Sequence, residues 1–270
     1  MRFSYAANFF GWLAAALINT HLNQYLDMGT MLALGAILQV LSQVLRVWQA
    51  PFPLYVITFW ITSVGQAFQD THANSYVAGA TKGAHRWLGF IHAMYMTGCL
   101  VAPFAAAPIA SAEQPSRWYL FYTVPLAIGV VNLVMCLYAF RDTLRMKGKV
   151  QQNAETEGSP ASGEDAFESR QTTAKQLLVK TVKQSSLWYI SVFFFFYLGM
   201  TLTASGWVVE YLVDARDGDL DQVSYVPAGF AGGCLLGRLL LPEPTHRYGE
   251  RLMGTIYFVI CLGVQLVFWL

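Results

Sequence analysis

The chain has 270 residues, of which 55% are hydrophobic and only 12% charged, with a formal net charge of +1. A soluble domain carries about 25% charged residues, so half that share excludes an ordinary water-soluble fold. The balanced charge gives no sign of a nucleic-acid partner, and none is expected.

The charges that remain are clustered: fourteen of the thirty-three lie between residues 141 and 183. Elsewhere long apolar runs alternate with short polar breaks, the pattern of an all-α, polytopic helical membrane protein. In lipid each backbone polar group must be satisfied within its own helix. Spanning the hydrocarbon takes about 20 helical residues. Eight runs meet or approach that length: roughly 3–20, 30–48, 53–78, 88–110, 118–140, 186–213, 224–241 and 252–270.

Along the first run Asn8, a candidate cavity residue, stands eleven residues from Asn19 and shares its helical face; in the second, Gln39 and Gln43, two further cavity candidates, form a stripe with Arg46. The third run ends in GQAFQDTHANSYVAG, residues 65–79, with Asp70 well inside apolar sequence. An ionised aspartate near mid-bilayer costs about 2.5–3.5 kcal/mol even on the mild insertion scale. At 100° per residue, Ser63, Gln66, Asp70 and Asn74 fall within about 80° of one another. Four polar side chains on one stripe suit the wall of an aqueous or substrate cavity; a hydrogen-bonded network between helices is the alternative. His72 lies about 200° from Asp70 and points elsewhere.

The fourth run carries His92 and Tyr95 one turn apart in GFIHAMYMTG. His92 is a candidate partner for the Asp70 carboxylate or for a backbone carbonyl, and Tyr95 for a substrate hydroxyl. In the sixth run Trp207, a cavity candidate, and Glu210 lie one turn apart, with Glu210 near the water interface. The seventh holds Gly229, Gly233 and Gly237 at four-residue spacing, which lets helices approach closely. The four cysteines, Cys99, Cys136, Cys234 and Cys261, all fall in apolar runs and read as small buried residues. No metal-ligand helix, paired catalytic carboxylates or GxxxxGK[ST] loop is present, so neither an enzyme nor an ATP-driven pump is indicated and no cofactor is expected.

With alternating sides, the loops after the third, fifth and seventh runs, together with Arg238, hold thirteen of the seventeen lysines and arginines. The positive-inside rule puts them in the cytoplasm and the N-terminus outside. Residues 141–185 are the one substantial soluble segment. Its middle, NAETEGSPASGEDAFES, is poor in large apolar side chains and is expected to be disordered. Thr172 to Lys183 is expected to form a short amphipathic helix, with Leu177, Leu178 and Val182 facing lipid. The expected organisation is a five-helix bundle at 1–140, a cytoplasmic linker at 141–185, and three helices of a second bundle at 186–270.

After Gly237 the chain reads RLLLPEPTHRYGER. A Gly-Arg at the end of a membrane helix, then a short basic loop with another glycine, resembles the cytoplasmic loop motif of the major facilitator superfamily. Arg238, Arg247, Gly249 and Arg251 hold the matching positions. The first-half counterpart, NTHLNQYLDMG, keeps Asp27 and Gly29 but lacks the basic residues. QDTHANSYV, LGFIHAMYMTGCLVAP, FFFYLGMTLTASGWVVEYLVDARDG and YVPAGFAGGCLLGRLLLP resemble the fourth, fifth, seventh and eighth helices of fucose-permease-like transporters. Among these the likeness is greatest to the fungal group named after bypass-of-stop-codon protein six.

The resemblance implies a major facilitator fold truncated to helices two to nine of twelve. It implies a multi-pass, proton-coupled protein of the plasma membrane, whose two bundles rock around a small polar solute such as a sugar. Asp70, before Ala73 and Asn74, occupies the place of an acidic residue tied to proton coupling in the fucose permease. A relative's glutamate in the seventh helix is replaced here by Thr201. A truncated bundle that binds a solute or partner without moving it is the alternative.

Overall fold

The computed structural model describes residues 2–80, 83–111, 117–144 and 179–269. Every apolar run is a helix: α1 (Arg2–Tyr25), α2 (Met28–Val47), α3 (Phe52–Ala80), α4 (Ala84–Ser111), α5 (Thr123–Ala139), α6 (Ser185–Arg216), α7 (Val226–Leu240) and, after the short α8 (Pro242–Tyr248), α9 (Glu250–Trp269). A 3-10 segment, Trp118–Tyr122, leads into α5. No β-strand occurs among the described residues.

Five stretches among the described residues are long and apolar enough to cross a membrane: Met28–Val47, Ala84–Ile109, Trp118–Ala139, Ser185–Arg216 and Glu250–Phe268. Helices α1 and α3 are longer than α2, but their hydropathy is diluted by asparagines, glutamines and histidines. α7, at 15 residues, is apolar but short. The apolar surface of α6 and α9 is almost wholly exposed, including Phe193 to Phe196 and Phe258 to Ile260. Water would not tolerate patches of that size, whereas acyl chains solvate them.

The chain divides into two compact units, one formed by Met1–Ala73 and Ile109–Met200, the other by Asn74–Pro108 and Thr201–Leu270. Both therefore draw on residues from each side of the 141–185 linker. Most of that linker lies outside the described residues, as does most of the amphipathic helix expected at 172–183. Residues 179–182 form one exposed helical turn.

The core of the first unit is Ala15, Met31, Val64, Ala67 and Phe68, packed against Leu22, Leu26, Leu34 and Leu38. Small residues set how closely these helices approach. A methyl group at Gly65 would lie 2.6 Å from the Gly35 carbonyl oxygen, and one at Gly35 would lie 2.7 Å from that of Gly65. α2 and α3 thus touch backbone to backbone, the arrangement that small residues permit in membrane bundles. α2 also runs along α5. At its N-terminus Gly29 packs against the turn after α5, where a methyl group would collide with Thr143 and Phe140.

In the second unit the buried residues include Ala93 of α4 and Ala228 and Ala231 of α7. Four contacts fix an antiparallel α4–α7 seam continuing into α8. A methyl at Gly89 would meet the Arg238 carbonyl oxygen and Pro242, Arg238 bonds His92, Leu100 reaches Gly232, and Phe104 stacks on Tyr225. Of the four cysteines expected to be buried, Cys99, Cys136 and Cys234 are half-buried, and Cys261 is exposed on α9.

Gly65→Ala should destabilise the fold by about 1–3 kcal/mol, since the added methyl overpacks a backbone contact. Gly79→Ala, at a helical position with nothing within 4 Å, should be neutral or slightly stabilising. Thermal unfolding of the two purified variants in detergent checks the contrast, and equal shifts would contradict it.

Candidate functional site

The polar residues of α3 separate into three sets. Towards its neighbours, Ser63 is buried and donates to Asn8 Oδ1 of α1 at 2.7 Å. His72 is buried too, with Nε2 3.0 Å from Asn19 Oδ1. Ser63 and Asn8, expected at a cavity wall, are thus bonded to each other inside an α1–α3 seam. Away from these neighbours, Gln66 and Asp70 are exposed one turn apart, and Asn74 is half-buried.

Gln69, between the two faces, is the centre of a third set. Its Oε1 accepts from Gln39 Nε2 of α2 at 2.8 Å and from Asn132 Nδ2 of α5 at 3.2 Å, and its Nε2 donates to the Leu32 carbonyl at 3.2 Å. Gln39 therefore takes part in a three-helix junction. Gln69 and Asn132 do not stand out by helical periodicity, although a lone asparagine in so apolar a helix as α5 is itself a signal.

Below that junction α2 places Arg46 in the interior, 5% exposed. Its Nε donates to Thr58 Oγ1 at 2.8 Å, one terminal nitrogen to Thr62 Oγ1 at 3.0 Å, and the other approaches Gln43 Oε1 at 3.5 Å. The guanidinium carbon lies 4.1 Å from the centre of the Phe59 ring and 5.3 Å from that of Tyr122. Gln43, expected at a cavity, is buried against this cation. Burying an arginine's charge carries a desolvation cost, which the π faces, the hydroxyls and the place of Arg46 in the last turn of α2 partly offset.

In the second unit the loop residues at α8 form a charged cluster. Glu243 accepts from Arg86 Nε at 2.8 Å and from Arg247 Nε at 3.0 Å, the latter an i,i+4 pair. His85 Nε2 lies 3.7 Å from the same carboxylate, and the His85 ring stacks on His246 with centres 4.1 Å apart. Hydrogen bonds from Arg86, then from Arg247, hold the Glu243 carboxyl down to about 2. One of the four expected loop-motif positions, Arg247, belongs to this cluster, and Gly249 closes α8 at φ +91°, a conformation that side chains oppose. Arg251 is exposed at the start of α9 and Gly237 packs loosely against Leu241. Arg238 donates to the His92 carbonyl oxygen at 3.2 Å, so this histidine meets the motif through its backbone. Tyr95 and Trp207 are exposed. Asp27 sits at the N-cap of α2 without a side-chain bond to the helix.

Residues 2–270 match the sequence profile of the Major Facilitator Superfamily, nearly the whole chain. The chain belongs to the Major Facilitator Superfamily. It is an integral, multi-pass helical membrane protein. It is also similar to Bypass of stop codon protein 6 of Saccharomyces cerevisiae, with 25% identity over 248 residues. That match covers 89% of this chain and 48% of the yeast protein, so the chain spans about half the length of that relative. No solved structure matches it.

The depressed Glu243 value fixes a sign. A carboxyl held below its ordinary value of 4.5 contributes through its ion pairs above that value, and the contribution is lost as pH falls through about 2. The Arg86–Glu243–Arg247 cluster should therefore persist unchanged from pH 7 to pH 4, and Arg86→Ala should raise the midpoint. Carbon-13 NMR of glutamate-labelled protein reads it directly; a Glu243 signal titrating near 4.5 would contradict the pairing.

Proposed function

We propose that this protein works as a secondary transporter of a small polar solute, coupled to protons and operating by alternating access. The observation that carries the reading is the exposure of Gln66 and Asp70, one turn apart on the same stripe of α3. Acyl chains are a poor solvent for a carboxylate, so the surface that Asp70 presents faces water or solute. On this reading Gln66 and Asp70 line the solute path, and Asp70 takes up and releases the proton. A sugar is the solute class that an amide beside a carboxylate suits.

Binding at such a site must be modest and nearly equal in the two access states, because a solute held firmly in either would not leave. The Arg86–Glu243 pair joins the start of α4 to α8, beyond the apolar spans, and suits a gate on the cytoplasmic side. That side follows from the basic residues of the loops. The linker at 141–185 then joins the two bundles in the cytoplasm, and the plasma membrane is the proposed site of action.

Proteoliposomes carrying the protein, with an imposed proton gradient and radiolabelled candidate solutes, test this. Asp70→Asn should lower gradient-driven accumulation at least about tenfold while leaving solute exchange near wild type, as loss of a coupling group without loss of binding requires. Unchanged accumulation together with unchanged exchange would remove Asp70 from the mechanism. Solute binding without flux in the wild type would identify a binding protein instead.

A further inference from the structure

The environment of Arg46 has more hydrogen-bond donors than acceptors. Thr58 directs its hydroxyl hydrogen to the Tyr55 carbonyl oxygen at 2.6 Å, and Ser42 directs its own to the Gln39 carbonyl oxygen at 2.7 Å. Thr62 has one hydrogen to share between Ser42 Oγ and the Thr58 carbonyl oxygen. These hydroxyls leave lone pairs that take two guanidinium hydrogens, at Nε and at one terminal nitrogen. A guanidinium has five N–H donors. The remaining edge has only the 3.5 Å approach to Gln43, at the long limit of a hydrogen bond.

Beside it the Tyr55 and Tyr122 phenols share one hydrogen bond of 2.7 Å. Two phenols have two hydrogens, so whichever oxygen accepts still has one to donate. No carboxylate touches Arg46 among the described residues. The result is a buried, permanently positive group with spare N–H donors, next to a phenol with a spare O–H donor and no counter-charge. Both tyrosines are half-buried, which leaves their side as the approach for a small ion.

We infer that Arg46 and the Tyr55–Tyr122 pair form a binding site for a small monovalent anion, a halide or the carboxylate of a solute. The ion supplies the missing negative charge and accepts from the guanidinium edge and the phenol together, and the short charge-assisted bonds that result are the strong kind. A neutral ligand would meet donors without gaining the charge compensation, and a divalent anion would leave an excess charge in a low-dielectric interior. The inference stands apart from the transport reading, because it concerns the resting protein and needs no movement of solute.

The test is thermal unfolding of the full chain in nanodiscs, with sodium chloride or sodium acetate titrated against sodium methanesulfonate at constant ionic strength. A saturable rise in unfolding temperature with chloride alone identifies a halide site, and a rise with acetate identifies a carboxylate site. Either rise should disappear in Arg46→Gln. In the double variant Tyr55→Phe, Tyr122→Phe, which keeps the cation and removes the phenol donors, the titration midpoint should move up by about tenfold. The site is overturned if neither anion shifts the wild type, or if the double variant titrates like wild type. It is equally overturned if a folded Arg46→Gln still responds.

Discussion

The first unit depends on polar side chains that are paired across the seams between its helices. A polar side chain at a membrane seam must find its partner on the adjacent helix, and that requirement fixes both spacing and register. Gly35 and Gly65 bring α2 and α3 close enough for Gln69 to reach the Leu32 carbonyl and Gln39 at once. A slide of either helix by one residue would rotate Gln69 by 100° and leave its partners unpaired. Each such loss costs about 1–3 kcal/mol, more than the dispersion lost at a single contact. Apolar packing around Met31 and Phe68 is compatible with several registers, whereas the amide junction permits one.

Most of the architecture was legible in the sequence, because the length of an apolar run is set by the thickness of hydrocarbon. Each run became a helix whose ends agree to within a few residues. The largest extension is at α1, which continues through His21 and Asn23 to Tyr25. The site was less legible. Helical periodicity placed Ser63 and Asp70 on one stripe, but periodicity knows only the helix it is drawn on. Where α1 leaves the stripe uncovered is decided by the approach of another helix, and α1 covers Ser63 while Asp70 stays exposed. His72 was correctly separated from Asp70 by angle, yet nothing in the run itself named Asn19 as its partner.

The charged loop shows the same limit. The i,i+4 spacing of Glu243 and Arg247 could be read from the sequence, whereas Arg86 lies 157 positions away along the chain. Their meeting at one carboxylate follows from the α4–α7 seam and the turn into α8. The loop motif marked Arg247 and Gly249 through the resemblance; the acid between them and the helix end became visible only once that seam was formed. Its physical role is to give two arginines a common anion, which keeps like charges from separating the start of α4 from α8.

Saturation of hydrogen bonds distinguishes polar groups that hold the fold from those available for other work. Gln69 accepts twice and donates to a carbonyl, Ser63 meets Asn8, and the threonine hydroxyls near Arg46 have all directed their hydrogens to acceptors. Such groups are tied to one geometry, and a moving element built on them would have to break several bonds together. Arg46 differs in kind, for its surplus is of donors and of charge, and neither can be relieved by a small rotation of the side chain. An interior cation in that condition either draws in an anion or keeps the part of its desolvation cost that the hydroxyls and rings do not offset. Asp70 has a different setting again: its side chain is exposed on α3, where a change in what faces it changes the free energy of its charge directly.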